Sequence, residues 1–359
     1  MEKQLSNIQY LNIKSNITKK NITFLNNLFR IYDNIDTPFT IKTNKDITNN
    51  YINLIPSHIQ EYIYNVTLYD TNIQFIYNKK IFSIHIFQER EHFKNKRIIK
   101  KIVKTVSFLS SFSKPYCSDF LSIHIFLTPF KKSFTNPVID TKDINTAFTF
   151  VCKKNNNITI YRKEEWFKVL LHECIHSFGI DFSSLYSQHA RFDTLLSNIF
   201  HIQNNYFLSE AYCEVWATII NVITLYNKNN DFDKYIISKL HNESIFSLIQ
   251  SYKFLKLHNI HVSDFVNKKT IQYTENTPGF SYIVIKSVFM YNLNSFINIC
   301  TKYNGLSLKN KITENTILDF IELIKTTIKK GSYKKDINNI RNSLKNNELG
   351  KTFKFSLYG

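Results

Sequence analysis

Between Trp166 and Gly179 the chain carries His172 and His176, four residues apart, in an otherwise apolar run of Val169, Leu170, Leu171, Cys174, Ile175 and Phe178. The run predicts a buried helix. Glu164 and Glu165 suit its first turn and Gly179 its end. At about 3.6 residues per turn, positions 172 and 176 stand one above the other, so both imidazoles reach a single point. Glu173 lies roughly a quarter turn round, near that point but off the shared face. Polar groups on a buried helix need partners. Two histidines hydrogen-bonded in an ordinary core would satisfy that need, but a metal ion is the simplest single partner for both rings. Helical HExxH is the spacing in which two histidines bind zinc and the glutamate serves as general base.

A catalytic zinc ion takes three protein ligands and keeps one position open. The extended form of the motif has a glycine where Gly179 stands, but its third ligand then falls on Phe182, which cannot bind metal. Asp181, one residue off that register, is expected to support the site from beside the ligands. Glu210 and Glu214 offer more. They are four apart on a predicted helix that also holds Ala211, Cys213, Val215, Trp216 and Ala217. Both project from one face, where two inward carboxylates would repel each other. A metal with its histidines resolves the conflict: one carboxylate binds the ion and the other holds an imidazole N–H.

HExxH followed 34 residues on by a helical ExxxE resembles the gluzincin clan of zinc peptidases. The long gap and the run from Glu210 to Ala217 are similar to the clostridial neurotoxin light chains and anthrax lethal factor. The resemblance covers roughly residues 145–217. It implies one Zn2+ ion on His172, His176 and Glu210, with Glu214 as supporting carboxylate, Glu173 as general base and a peptide or protein as substrate. It also implies a donor to the oxyanion, drawn in that clan from Tyr, His or Arg. The candidates are Tyr282 and Tyr206, with His201 and Tyr212 behind them.

The rest of the chain fits an α+β, zincin-like fold with a mixed-sheet upper subdomain and a mainly helical lower one. Residues 1–68 read as a lead-in, with short helical faces around Phe24–Phe29 and Pro56–Tyr64. Residues 69–180 form the sheet-bearing part. Its expected strands are 73–77 and 81–87 as a hairpin, 120–127, 145–152, and 158–161 after a turn at 155–157. Segment 145–152 is the candidate edge strand for pairing with an extended substrate. Residues 181–328 follow as helices at 185–202, 210–225, 235–254, 282–299 and 313–328. The basic tail 329–359, with one helix at 336–344, carries no assigned role.

Composition limits the alternatives. With 359 residues and 43% hydrophobic residues the chain builds a sizeable core. Its net charge of +18 could mark a nucleic-acid partner, and Glu91–Phe112 carries a basic stripe. Yet Asn, Ile, Lys, Tyr and Phe, which share A/T-rich codons, dominate the sequence, so nucleic acid is the less favoured partner. That bias resembles gene products of giant DNA viruses. The five cysteines show no CxxC spacing, which suggests reduced thiols in an intracellular, cytoplasmic or virion-associated protein. The first residues lack a signal-peptide core and no segment has the length of a transmembrane span. The competing readings are a non-catalytic zincin-fold structural or virion protein and a basic nucleic-acid-binding protein.

Overall fold

In a computed structural model, residues 2–5, 17–44, 52–134, 138–183, 185, 189–202, 204–343, 349 and 351–359 are described. Six strands form one mixed sheet: β1 (Thr40–Asn44), β2 (Leu68–Tyr77), β3 (Lys80–Glu89), β4 (Phe120–Phe126), β5 (Ala147–Thr149) and β6 (Asn155–Ile160), in spatial order β1-β2-β3-β4-β6-β5. The β2–β3 hairpin turns at Asn78 and Lys79, both left-handed (φ 49° and 66°), the backbone a two-residue hairpin loop requires. β3, β4 and β6 run parallel, with Ile84, Ile123 and Ile158 in register. Being central, β4 buries Leu121, Ile123 and Ile125 completely.

Helices supply the rest: α1 (Glu2–Leu5), α2 (Lys19–Asn34), α3 (Ser57–Asn65), α4 (Lys96–Ser110), α5 (Thr141–Ile144), α6 (Trp166–Ser177), α7 (His189–Phe200), α8 (Leu208–Thr224), α9 (Phe232–Leu257), α10 (Val262–Val266), α11 (Lys286–Tyr291), α12 (Leu293–Asn304), α13 (Glu314–Lys329) and α14 (Gly331–Ser343). The protein is therefore mixed α+β. The basic helix begins at Lys96 rather than Glu91 because Asn95 caps it, its side chain accepting from Ile98 N–H at 3.1 Å. Ile99, Ile102, Val103 and Val106 bury its other face. The lead-in belongs to the same core, with Phe24 of α2 meeting Trp216 edge to face and β1 joining the sheet.

Several expectations change. Residues 155–157 are not a turn but the start of β6. Asn156 is stabilised there by donating to Phe150 O (2.6 Å) and Ser177 Oγ (2.9 Å), and the reversal lies earlier, at Cys152 (φ 49°). The helix expected over 282–299 is broken at Asn292, where the chain bends by 92°. The helix expected from 185 begins at His189; residues 184 and 186–188 lie outside the described residues, as does 344. Among the described residues no single helix is long and apolar enough to cross a membrane.

The thiols are also not all reduced. Cys117 and Cys152 are disulfide-bonded, while Cys174, Cys213 and Cys300 are free and buried. Cys117 and Cys152 lie just before the neighbouring parallel strands β4 and β6, so tertiary pairing brings them together across 35 residues of sequence. Closing a loop of that length is worth about 3–4 kcal/mol in the chain-entropy description. Thiol titration of the unreduced, denatured protein should therefore find three thiols per chain, and Cys117→Ser should destabilise by about 2–4 kcal/mol. Five titrating thiols would remove the bridge.

Candidate metal centre

The helix that carries the motif is fixed at both ends. Glu165 stands before α6 in the left-handed region (φ 58°), held by its buried carboxylate, which meets Lys132 Nζ at 2.5 Å and accepts from the Phe355 and Ser356 N–H groups. At the other end Gly179 (φ 64°) closes the helix, donating to His176 O at 3.0 Å while Ile180 N–H donates to Ile175 O at 3.0 Å. A side chain at 179 would also press on Cys117 Sγ, 3.0 Å from an added Cβ. This turn brings Asp181 back beneath the helix.

His172 Nε2, His176 Nε2 and Glu210 Oε2 converge, each pair 3.1 Å apart. Behind them the other ring nitrogens meet carboxylates. His176 Nδ1 lies 2.8 Å from Asp181 Oδ2. His172 Nδ1 lies 3.0 Å from Glu214 Oε1. With each Nδ1 turned to a carboxylate as the N–H side, both Nε2 atoms present lone pairs to the same point as Glu210. In that tautomer the three atoms are acceptors close enough to hold one small cation.

Without a metal, protons on the rings take that place. Burial opposes charge on both rings, but Glu210 and Glu214 leave His172 raised, and Cys213, Glu210 and Asp181 leave His176 raised further. Burial would also raise Glu210, yet His176 and His172 hold it well below the usual carboxylate range. The pull of the rings and the carboxylate on each other's protons is the pull a metal would take over. A second group, His176, Asp181 and Cys213, also lies close enough to hold an ion. It must borrow His176 from the first, and burial pushes the Cys213 thiol far above the range in which it would ligate as thiolate.

Glu173 faces the same cavity as His172, and burial raises its carboxyl despite both imidazoles. Tyr282 sits on a π-helical turn, Ser281–Ile285, that leads into α11. Such turns re-aim a side chain inward. Its ring centroid lies 5.9 Å from that of His172 and its hydroxyl bonds to Glu210. The structure does not bring the other oxyanion candidates here. Tyr206 donates to Ile202 O at 2.9 Å and stacks on Phe200, so its hydroxyl is spent within its own turn. His201 lines a separate groove with residues of α7, α10 and α13. The Tyr212 ring packs on Phe182, Trp216, Phe296 and Phe320. Phe182 is thus a core residue.

Cations stand behind the site that sequence reasoning does not single out. Lys168, fully buried, pairs with Glu214, and Lys286 Nζ lies 3.2 Å from the same carboxylate. Burial would raise Glu214, but these two ammonium groups keep it ionised, which is what a partner for His172 needs. Lys168 had a readable signal: it is four residues before His172, on the histidine face of an apolar helix. Lys286 and Lys132 had none.

No family model matches the chain, and no solved structure matches it. Over 195 residues it is 30% identical to "Uncharacterized protein R210" of Acanthamoeba polyphaga mimivirus, across 49% of this chain and 48% of that protein. The chain thus spans about half the length of the curated relative it matches.

Because burial raises Glu173, the charged form costs the metal-free fold nothing below the ordinary value of 4.5 and its full penalty above the raised folded value. Glu173→Gln should therefore gain more thermal stability over the metal-free wild type at pH 8 than at pH 4. Equal gains in melting scans at the two pH values would contradict the buried carboxyl.

Proposed function

We propose that this protein is a zinc-dependent peptidase of zincin type, with His172, His176 and Glu210 as the zinc ligands. The observation that carries the reading is the meeting of three lone-pair donors, one carboxylate and two imidazoles, at one point beside Glu173, which lines the same cavity. Two nitrogens and one oxygen are the donor set of catalytic zinc, and three protein ligands leave a position open. Bound there, zinc lowers the pKa of water towards neutrality and polarises a peptide carbonyl.

The chain's own residues do the rest. Glu173, off the ligand face and raised by burial, takes a proton from the attacking water and returns it to the leaving amine. Tyr282 donates its hydroxyl to the oxygen that gains negative charge, once substrate draws it from Glu210. Asp181 and Glu214 hold the rings in the tautomer that leaves Nε2 free. Strand β5, last in the sheet and beside α6, offers an edge on which an extended peptide can add. The mimivirus relative supports a viral setting for this activity.

Purified protein should carry near-stoichiometric zinc that a strong chelator removes. Glu210→Ala should weaken zinc binding most, and Asp181→Asn by about 10–100-fold. Glu173→Gln should keep its zinc yet lose hydrolysis by a factor on the order of 100–10,000. A protein that folds fully without binding zinc sinks the site; a zinc-loaded wild type that hydrolyses no peptide in a proteome-wide cleavage comparison with Glu173→Gln leaves a structural metal instead.

A further inference from the structure

The segment 352–359 passes through the core beside the metal centre. Two buried carboxylates hold its main chain. Glu165 accepts from the N–H groups of Phe355 (2.9 Å) and Ser356 (2.7 Å), and Glu243 of α9 accepts from those of Leu357 (3.0 Å) and Tyr358 (3.1 Å) and from Ser356 Oγ (2.6 Å). Lys286, already beside Glu214, donates to the Phe355 carbonyl. Backbone hydrogen bonds to buried carboxylates are strong, so these contacts fix the path of the segment.

Its one side chain toward the site is Phe355. The ring lies 3.7 Å beneath Lys132 Nζ and packs nearly parallel to Tyr282, with centroids 5.9 Å apart. With Lys132, Ala147, Val169 and Tyr282 it lines a small, partly open cavity that His172 and Glu173 also border. The space left is about 30 Å³, room for a few water molecules.

The position of this cavity gives it a use. A peptide added to β5 points alternate side chains to one face of the sheet. Here that face is α6, and the cavity lies between Ala147 of the strand and Val169, His172 and Glu173 of the helix. A side chain adjoining the reacting carbonyl has to enter it. We infer that Phe355 is a specificity-determining residue, restricting the substrate side chain beside the scissile bond to that of glycine, alanine or serine. The inference rests on the peptidase reading, and it names the substrate class of the same site.

The test uses the full chain loaded with zinc and measures binding rather than turnover. Hydroxamates carrying hydrogen, methyl, isobutyl or benzyl on the carbon next to the chelating group are titrated by calorimetry into wild type, Phe355→Ala, Phe355→Leu and Ala147→Val. Wild type should prefer methyl over benzyl by about tenfold or more, the scale on which apolar pockets discriminate size. Phe355→Ala should erase or reverse that preference while methyl affinity changes by less than about threefold, and Phe355→Leu should fall between. Ala147→Val narrows the cavity from the opposite wall and should weaken methyl relative to hydrogen, so the inference stays testable if Phe355→Ala does not fold. An unchanged size preference in the folded Phe355 variants, or in Ala147→Val where those do not fold, overturns the role of the cavity while leaving the peptidase reading intact. Zinc-loaded protein that binds no hydroxamate overturns both.

Discussion

Glu214 is the charge on which the surrounding structure depends. It is buried under α8, where an unpaired carboxylate would cost several kcal/mol, and it is compensated from separate elements: Lys168 and His172 on α6 and Lys286 on α11. Lys286 reaches onward to the Phe355 carbonyl, and Lys132 pairs with Glu165, which holds the same segment. Each ion therefore has its partner on a different stretch of chain. Removing any of them leaves a charge in the core, so α6, α8, α11 and the segment 352–359 are bound to one another by more than apolar packing. The same network sets the ring of His172, and through it the point where both Nε2 atoms and Glu210 meet.

The remaining geometry follows from how α6 is terminated and where it lies. Strand β6 feeds α6 through Glu165 in a left-handed turn, and Gly179 ends it against the Cys117–Cys152 bridge, where a side chain would press on both sulfurs. The tight end returns Asp181 to His176. On the other side α8 crosses α6 and delivers Glu210 and Glu214 at a spacing of one turn, one to each role. Apolar residues on the remaining faces of both helices, from Leu170 and Leu171 to Ala217 and Ile220, keep water out and make every charge in the cluster count.

Much of this was legible because it is local. Helical spacing put His172 and His176 on one face and the paired glutamates on another helix, and strand-forming runs at 73–77 and 81–87 marked the hairpin that the structure extends to 68–89. A strand was readable over 145–152; the structure keeps only Ala147–Thr149 of it, and the sheet order places that strand at an edge. The failures share one cause. The Cys117–Cys152 bridge, the three buried lysines and Phe355 depend on partners distant in sequence, and a lysine in a lysine-rich chain carries no mark of burial. Tyr206 and Tyr282 were equivalent as residues in a chain with 21 tyrosines; only the π-helical turn at Ser281–Ile285 aims one of them at His172.

By itself, then, the sequence determined which atoms could act as ligands, His172, His176 and the pair Glu210 and Glu214, because side-chain direction on a helix is set by a period of 3.6 residues. Tertiary structure decided which glutamate faces the imidazole Nε2 atoms and which stands behind a ring, since that choice depends on where Lys168 and Lys286 neutralise a buried carboxylate. It also decided that the tail walls the site, because the amides of 355–358 satisfy Glu165 and Glu243, two carboxylates that nothing nearby in sequence could have paired.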